Sequence, residues 1–306
     1  KVTDLEILEE GKIYKGNNRG KIITDSELEL ESDNFIYLKE KNQLEANGNV
    51  EIFDITNDTI VKAKKIFYLK TENIIYTVGE TFIEVSNKYN IKGEDLTLLR
   101  DKSILYSKKK ATITDKDLNI YKLDKFEYSI NEEILKGNKV NVKSDNTDNK
   151  GNEYFFETAF FDLKNDKFLA KDVSVKLYKE FFNNKKNDPR INSASGYGDE
   201  SNTFFEKAIF TSCKKTDKCP PWKMTAEKIQ HDKTNKKIIY NNAWLELYDV
   251  PVAYFPKFFH PDPSVERQSG LLMPEIGDHN TLGDSIYLPY FFVLSDEIDM
   301  TIKPRL

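Results

Sequence analysis

The sequence of 306 residues predicts an all-β fold made of a stacked repeat of short strands. Apolar and polar residues alternate along most of the chain, and turns rich in Lys, Asp and Asn separate the alternating runs. The pattern returns at a period of about thirty residues, as in proteins built from stacked repeats. Twenty Phe and sixteen Tyr also favour strands, because aromatic side chains fit a pleated sheet.

The repeat is clearest in the first 180 residues. Residues 32–54 and 64–85 align so that Leu44 matches Ile75 and Gly48 matches Gly79. Tyr37 matches Tyr68 in the same alignment. We identify further copies in residues 93–113, 124–142, 159–175 and 226–250. Between residues 133 and 144 the alternation slips by one residue, which indicates a loop or a bulge.

The alternation makes one face of each strand apolar and the other charged. Stacked copies then produce a continuous apolar trough, which is either a closed core or a groove open to a guest. The presence of Ala46 and Ala111 among bulky residues favours room for a guest. The predicted trough residues are Phe35, Tyr37, Leu44, Val50, Tyr68, Ile75, Leu98, Leu105, Phe126, Tyr128, Val140 and Val142.

Composition limits the other possibilities. A formal net charge of -5, with Lys and Glu interspersed, gives no support to nucleic-acid binding. No run of apolar residues is long enough for a membrane-spanning helix. Residues 180–224 are rich in Asn, Ser and Gly, and we predict a long loop or insertion there.

The sequence carries no catalytic motif and no metal-ligand spacing. His231, His260 and His279 lie far from one another in sequence, and none has a second His or Cys at ligand spacing. Cys213 and Cys219 are separated by five residues, which matches neither a redox nor a zinc pair. They are either two unrelated buried thiols or oxidised in a secreted compartment, and their position in a polar loop that ends in proline favours the oxidised role. A β-helical polysaccharide hydrolase or lyase stays an alternative, because its carboxylates assemble across strands.

The last third of the chain contains two apolar runs interrupted by proline, at Pro274 and Pro289. Proline cannot donate a hydrogen bond to a sheet and is normally confined to edges or bulges. The final residues, DMTIKPRL, stop inside a predicted strand, so we expect a truncated C-terminus. The first residue is Lys1, which indicates a mature protein or a fragment.

The motifs of this last third resemble the lipopolysaccharide-assembly protein family LptD, formerly OstA or Imp. The resemblance is carried by VPVAYFP at 250–256, by the Pro-Asp-Pro stretch before RQSG at 267–270, and by YLPYFF at 287–292 with the KPR that follows. It implies a periplasmic β-jellyroll (β-taco, OstA-type repeats) over residues 1–255. Residues 256–306 are then the first two or three strands of a truncated outer-membrane β-barrel.

The resemblance also implies function, partners and site residues. The jellyroll receives lipopolysaccharide from an LptA-like bridge protein and shields its acyl chains. The barrel, which contains an LptE-like lipoprotein plug, releases the molecule through a lateral gate, and Pro274 and Pro289 match the gate prolines. No catalytic residue, metal or cofactor is implied. A soluble periplasmic bridge or scaffold is the nearest alternative.

The resemblance gives the cysteines two interpretations that stay open. Cys213 matches a family cysteine that bridges to the far end of the barrel, which lies outside this sequence. Alternatively, Cys213 pairs locally with Cys219.

Overall fold

The computed structural model describes residues 2–24, 27–143, 152–177, 188–213, 221–262, 265, 269–272, 275–279, 283–295 and 297–304. These residues form 26 strands and two short 3₁₀ helices, Glu9–Gly11 and Arg100–Lys102, which confirms the all-β prediction. Within this part of the chain, no helix has the length and apolar character needed to cross a membrane. The chain divides into two compact units, residues 1–166 and 167–306.

Unit 1 is a ladder of antiparallel strands. The strands are β1 Val2–Leu8, β2 Ile13–Ile23, β3 Leu28–Ser32, β4 Asn34–Leu38, β5 Gln43–Asp54, β6 Thr59–Leu69, β7 Ile74–Val85, β8 Tyr89–Glu94, β9 Thr97–Leu99, β10 Ile104–Ser107, β11 Ala111–Asp115, β12 Ile120–Leu123, β13 Lys125–Ser129, β14 Ile134–Lys143 and β15 Glu153–Asp162.

Several long strands of unit 1 bend near their middle and so belong to two half-sheets. The first half of β5 pairs with β4 and its second half with β3; β7 likewise pairs first with β9 and then with β8. Gly48 and Gly79 mark the bends of β5 and β7, and each has a φ of +79°. Glycine adopts this left-handed conformation without the clash of a Cβ, so the predicted match of these glycines is confirmed in the backbone.

The slip of alternation in residues 133–144 coincides with the bend of β14. Asn138 pairs with Thr158 and Val140 with Phe156, so the ladder with β15 skips one residue on each strand and contains no extra residue. The skipped residue of β14, Lys139, has a φ of +48°. We call the half-sheet that contains β4, β9, β10 and β13 half-sheet A, and the one that contains β3, β8, β11 and β12 half-sheet B.

The turns at the ends of the two half-sheets away from the bends form two columns. Lip A consists of residues 39–42, 70–73, 100–103, 130–133 and 163–166, and lip B of residues 55–58, 86–88 and 116–119. Backbone hydrogen bonds join neighbouring turns within a lip, from Lys70 N to Asn42 O in lip A and from Ser86 N to Asp58 O in lip B, both at 2.8 Å. The turns of lip A recur at the period that the sequence predicts.

Unit 2 begins with six antiparallel strands, each paired with its neighbours in sequence. Asp172, Lys207 and Asn242 have positive φ and lie where the ladders omit a residue, as at the bends of unit 1. The strands are β16 Lys167–Lys176, β17 Arg190–Gly198, β18 Asn202–Thr211, β19 Trp222–Asp232, β20 Lys237–Leu247 and β21 Val250–Pro261.

The predicted loop over residues 180–224 is wrong for residues 190–211, which form the hairpin of β17 and β18. β17 is rich in Ser and Gly, a composition that is also typical of loops. Gly196 lies where an added Cβ would meet Val173 Cγ2 at 3.1 Å, so a small residue is needed for packing. In β18, the residues Phe205, Ala208 and Phe210 are buried.

After β21 the chain forms two small sheets. One contains β22 Gly270–Leu271, β25 Tyr290–Val293 and β26 Asp299–Ile302, and the other is the hairpin of β23 Glu275–His279 and β24 Gly283–Tyr287. β21 pairs with β20 along its whole length as far as Pro261, so one ladder includes residues on both sides of position 255.

Candidate functional site

Seven of the predicted trough residues of half-sheet A lie side by side in one row across the strands, whereas Phe35 and Phe126 are buried outside this row. Each member is the register partner of the next, from Tyr37 in β4 to Phe161 in β15. The row is Tyr37, Leu44, Tyr68, Ile75, Leu98, Leu105, Tyr128, Leu135 and Phe161. A shared register across eight pairings makes this row a continuous apolar strip on one face of the sheet.

Half-sheet B carries a second row, most of which the sequence analysis missed. Of the predicted residues, only Val142 belongs to it; Val50 and Val140 lie nearer the bends. The row is Leu30, Ile52, Val61, Ile83, Ile91, Ile113, Tyr121, Val142 and Tyr154. Alternation resumes in each strand beyond its bend, and that signal would have located these residues.

The two rows face each other across the interior of unit 1. Ring pairs join the half-sheets: Tyr89 with Tyr128 at 5.6 Å and Tyr121 with Phe161 at 5.4 Å between ring centroids. Eleven of the twelve predicted trough residues are at most 8% exposed. The structure therefore shows the trough closed by its own side chains.

Tyr37 is the predicted residue that is only half-buried. Its hydroxyl donates to Asn42 Oδ1 at 3.2 Å, and Tyr68 makes the equivalent bond to Asn73 Oδ1 at 3.1 Å one repeat later. The small residues Ala46 and Ala111 are buried. A Cβ added to Gly93 would lie 3.2 Å from Ala111 Cβ, so neighbouring chain fills the space there.

The tyrosines that reach this interior are uncharged at neutral pH. Burial raises the pKa of Tyr121, Tyr128 and Tyr89, and nearby carboxylates such as Glu133 raise it further. A buried phenolate is disfavoured because burial removes its solvation. The wall of the trough is consequently apolar and neutral, which suits hydrocarbon and not an ionic ligand.

Side chains from the two lips meet on the side of unit 1 opposite the bends. Arg100 of lip A bonds Asp54, which directly precedes lip B, and Asn57 of lip B donates to Arg100 O at 3.4 Å. One repeat further along, Glu133 of lip A accepts from Lys88 Nζ at 2.6 Å and from the Tyr89 hydroxyl at 3.0 Å. These contacts close the seam between the lips.

A second concave region lies on the outer surface near the bends of β5, β6 and β7. It is an open groove of about 510 Å³ that includes Arg19, Lys64 and Phe82. Its other charges are paired across strands, Lys62 with Glu51 and Lys92 with Glu80, both at 2.7 Å. Paired exposed charges of this kind are typical of a solvated sheet face.

The histidines do not form a metal site with the residues around them. His231 Nε2 contacts Asp262 Oδ2, and His260 Nε2 lies 2.8 Å from the Tyr240 hydroxyl. Burial lowers the pKa of His260. The hydrogen bond with the Pro261 carbonyl and the nearby charge of Asp262 raise this pKa, but by less. Across the residues that the structure describes, no three His, Cys, Asp or Glu side chains are arranged to hold a metal ion.

The predicted gate and disulfide residues are only partly described. Pro274 and Cys219 lie outside the described residues. Pro289 is buried between β24 and β25, and its carbonyl accepts from Leu272 N at 2.8 Å. Cys213 is half-buried after β18, and its Sγ lies 3.6 Å from Trp222 O.

Comparison with known proteins identifies the relatives of this chain. The chain is 36% identical over 103 residues to the LPS-assembly protein LptD of Legionella pneumophila strain Paris. The aligned residues are 34% of this chain and 12% of that protein. Over this stretch the chain is similar to LptD. LptD of Idiomarina loihiensis is 29% identical over 136 residues, 44% of this chain and 17% of that protein. LptD of Methylococcus capsulatus is 26% identical over 160 residues, 51% of this chain and 14% of that protein.

The matches to these LptD proteins therefore span less than a fifth of the relatives' own length. No family model matches the chain. Among solved structures, the chain is similar to LptH of Pseudomonas aeruginosa, the LptA-homologous periplasmic component of the lipopolysaccharide transport device. The matched region covers 36% of this chain and 81% of the LptH chain, with 13% sequence identity and a TM-score of 0.33. A TM-score this low gives the likeness no bearing on function.

Proposed function

We propose that this chain carries lipopolysaccharide to the outer membrane and holds the lipid A acyl chains between the two half-sheets. The observation that supports this proposal is the pair of facing apolar rows in unit 1, each continuous across nine residues in register. A continuous strip suits an extended hydrocarbon chain, whereas an enzyme site needs convergent polar groups. The names of the LptD relatives support the same class of function.

The energetics favour a carrier of this kind. Each methylene moved from water into an apolar site contributes roughly 0.8 kcal/mol, so an acyl chain strongly prefers the trough to the aqueous periplasm. Since the interior is closed in the structure, loading requires the half-sheets to separate. The ring contacts and apolar packing between the rows are replaced by contacts with the acyl chain, so part of the cost of opening is recovered.

The second part of the proposal concerns the membrane. We place the change from periplasmic sheet to outer-membrane strands after Pro261, because β21 pairs with β20 up to that residue. The strands from β22 onward then begin a barrel that releases lipopolysaccharide sideways. An LptA-like bridge protein supplies the cargo, and an LptE-like lipoprotein occupies the barrel.

Photo-crosslinking tests the trough. A photoreactive phenylalanine analogue at Leu98, which is 1% exposed and faces the interior, is expected to form an adduct with lipopolysaccharide. The same analogue at Thr97, the adjacent residue on the opposite face of β9, is the matched control and is expected to give none. Equal adduct yields at both positions, or no adduct at Leu98, would contradict the proposed function.

The gate has its own test in the complete protein. Replacing Pro274 and Pro289 by alanine restores two backbone donors, and unpaired backbone groups are costly in a bilayer. We expect the seam between the first and last barrel strands to become longer and less easily opened, with slower lipopolysaccharide export. Export and seam mobility equal to those of the parent protein would remove the gate from the proposal.

A further inference from the structure

The seam between lip A and lip B differs physically from the opposite side of unit 1. At the bends the chain itself passes from one half-sheet to the other, so separation there would require the strands to unfold. At the lips the half-sheets are joined by the side chains described above. The seam is therefore where the interior can be reached with the least loss of structure.

The first lip-to-lip contact is a buried ion pair. Arg100 Nε donates to Asp54 Oδ2 at 2.9 Å and Arg100 Nη2 donates to Asp54 Oδ1 at 2.8 Å. Asn73 of lip A accepts from Arg100 Nη1 at 2.8 Å, and Asn57 of lip B donates to Asp54 Oδ2 at 2.8 Å. Each member of the pair is thus fixed to its own lip by an asparagine.

The second contact is the more exposed equivalent, one repeat along. Glu133 accepts from Lys88 and from the Tyr89 hydroxyl, and its carboxylate is 20% exposed while Lys88 is 49% exposed. The hydrogen bond from Lys88 lowers the pKa of Glu133, which keeps the carboxylate ionised and paired at neutral pH. This second contact lies directly over the apolar rows, since Tyr89 also packs on Tyr128.

We propose that this seam is the portal through which an acyl chain enters unit 1, and that the Arg100–Asp54 and Lys88–Glu133 pairs are latches that hold it shut. The inference rests on the proposed function and adds the route of entry. A hydrogen-bonded ion pair is suited to the role because its hydrogen bonds are directional, so the pair holds the seam in one defined closed geometry. The more exposed latch, Lys88–Glu133, lies where the headgroup of an amphipathic guest stays in water.

A reversible tether across the seam tests the portal. Lys88→Cys and Glu133→Cys are introduced together in a chain that also carries Cys213→Ser and Cys219→Ser, and the two thiols are joined by a short crosslinker with a cleavable disulfide. The readout is the rate of lipopolysaccharide adduct formation by the photoreactive analogue at Leu98. We expect the tether to slow loading by about tenfold or more, since the open state is removed, and we expect reductant to restore the rate.

The matched control places the same tether within one lip. Asn42→Cys and Lys70→Cys lie in adjacent turns of lip A, which are already joined by a backbone hydrogen bond, so this tether leaves the seam free. Loading is expected to be unchanged. Equal loading of the seam-tethered and control proteins overturns the portal, because the acyl chain must then enter from an end of the ladder.

Loosening a latch provides the opposite perturbation. Lys88→Ala removes the exposed latch without placing a charge in the core, and we expect loading several-fold faster than in the parent chain. Unchanged loading would contradict the role of this pair as a latch. Absence of any adduct in the untethered parent contradicts the proposed function itself, so failure of the function and failure of the portal are distinguishable.

Discussion

Arg100 and Asp54 form a two-point ion pair between residues 46 apart in sequence, and their side chains are only 2% and 0% exposed. The pair joins the last residue of β5 to the short helix after β9. A buried ion pair costs desolvation on forming, but removing one partner leaves the other charge buried and uncompensated. The pair therefore fixes how the two half-sheets close.

The first prediction concerns this pair. Arg100→Met is expected to lower the free energy of unfolding by about 3–5 kcal/mol, because Asp54 is left charged without its partner. The double variant Arg100→Met with Asp54→Leu is expected to recover most of that loss. Urea unfolding followed by circular dichroism measures both, and a double variant as unstable as the single one would contradict the prediction.

The second prediction separates a crowded glycine from one needed for its backbone conformation. A Cβ at Gly198 would lie 2.3 Å from Asn202 O and 2.8 Å from Thr203 Cα, whereas one at Gly79 meets nothing within 4 Å. Gly198→Ala is expected to cost more than about 2 kcal/mol, because backbone atoms must move. Gly79→Ala is expected to cost about 1 kcal/mol, from its positive φ alone.

The same unfolding measurement decides the glycine comparison. Gly79→Asn serves as a further control, since asparagine tolerates the left-handed region better than alanine. A larger loss at Gly79 than at Gly198 would contradict the packing argument.

The alternation of residues predicted the strands, the repeat and the interior faces well. Leu98 and Leu105, chosen from sequence, are register partners and are buried, because strand alternation depends only on local geometry. The partnership of Arg100 with Asp54 was not predictable, because it is created by the bend and not by spacing. The hairpin of β17 and β18 was missed because its Gly and Ser serve close packing, which composition cannot distinguish from a loop.

The third prediction concerns pH. Burial lowers the pKa of His260 from its ordinary value of 6.5, and the ring faces Tyr240, His231 and Asp262. A group whose pKa is lower in the folded state adds stability that is complete above the unfolded pKa and is lost as pH falls towards the folded value. Stability is therefore expected to decline as pH falls below 6.5.

A paired variant isolates this contribution. His260→Phe with Tyr240→Phe removes the titrating ring and the hydroxyl that contacts its Nε2 together, so the Tyr240 hydroxyl is not left buried without its partner. We expect its urea midpoint to change less between about pH 7.5 and pH 5.5 than that of the parent chain. An identical decline in both proteins would assign the effect to other groups.

The fourth prediction compares two residues of the half-sheet A row. Leu105 is fully buried, whereas Tyr37 lies at the end of the row and is half-buried. Leu105→Ala is expected to cost about 2–5 kcal/mol through lost burial and the cavity left behind. Tyr37→Ala is expected to cost clearly less. Equal losses in thermal or urea unfolding would show that the end of the row is as tightly packed as its middle.

The turns of lip A have a consequence for how such a protein changes size. Backbone hydrogen bonds join each turn to the next turn of the lip, and each step adds two strands, or about 10 Å of sheet. A lineage that required a longer sheet could duplicate one step and leave the existing ones untouched. The length of the sheet is then set by the number of two-strand steps, and natural variants should differ in length by whole steps.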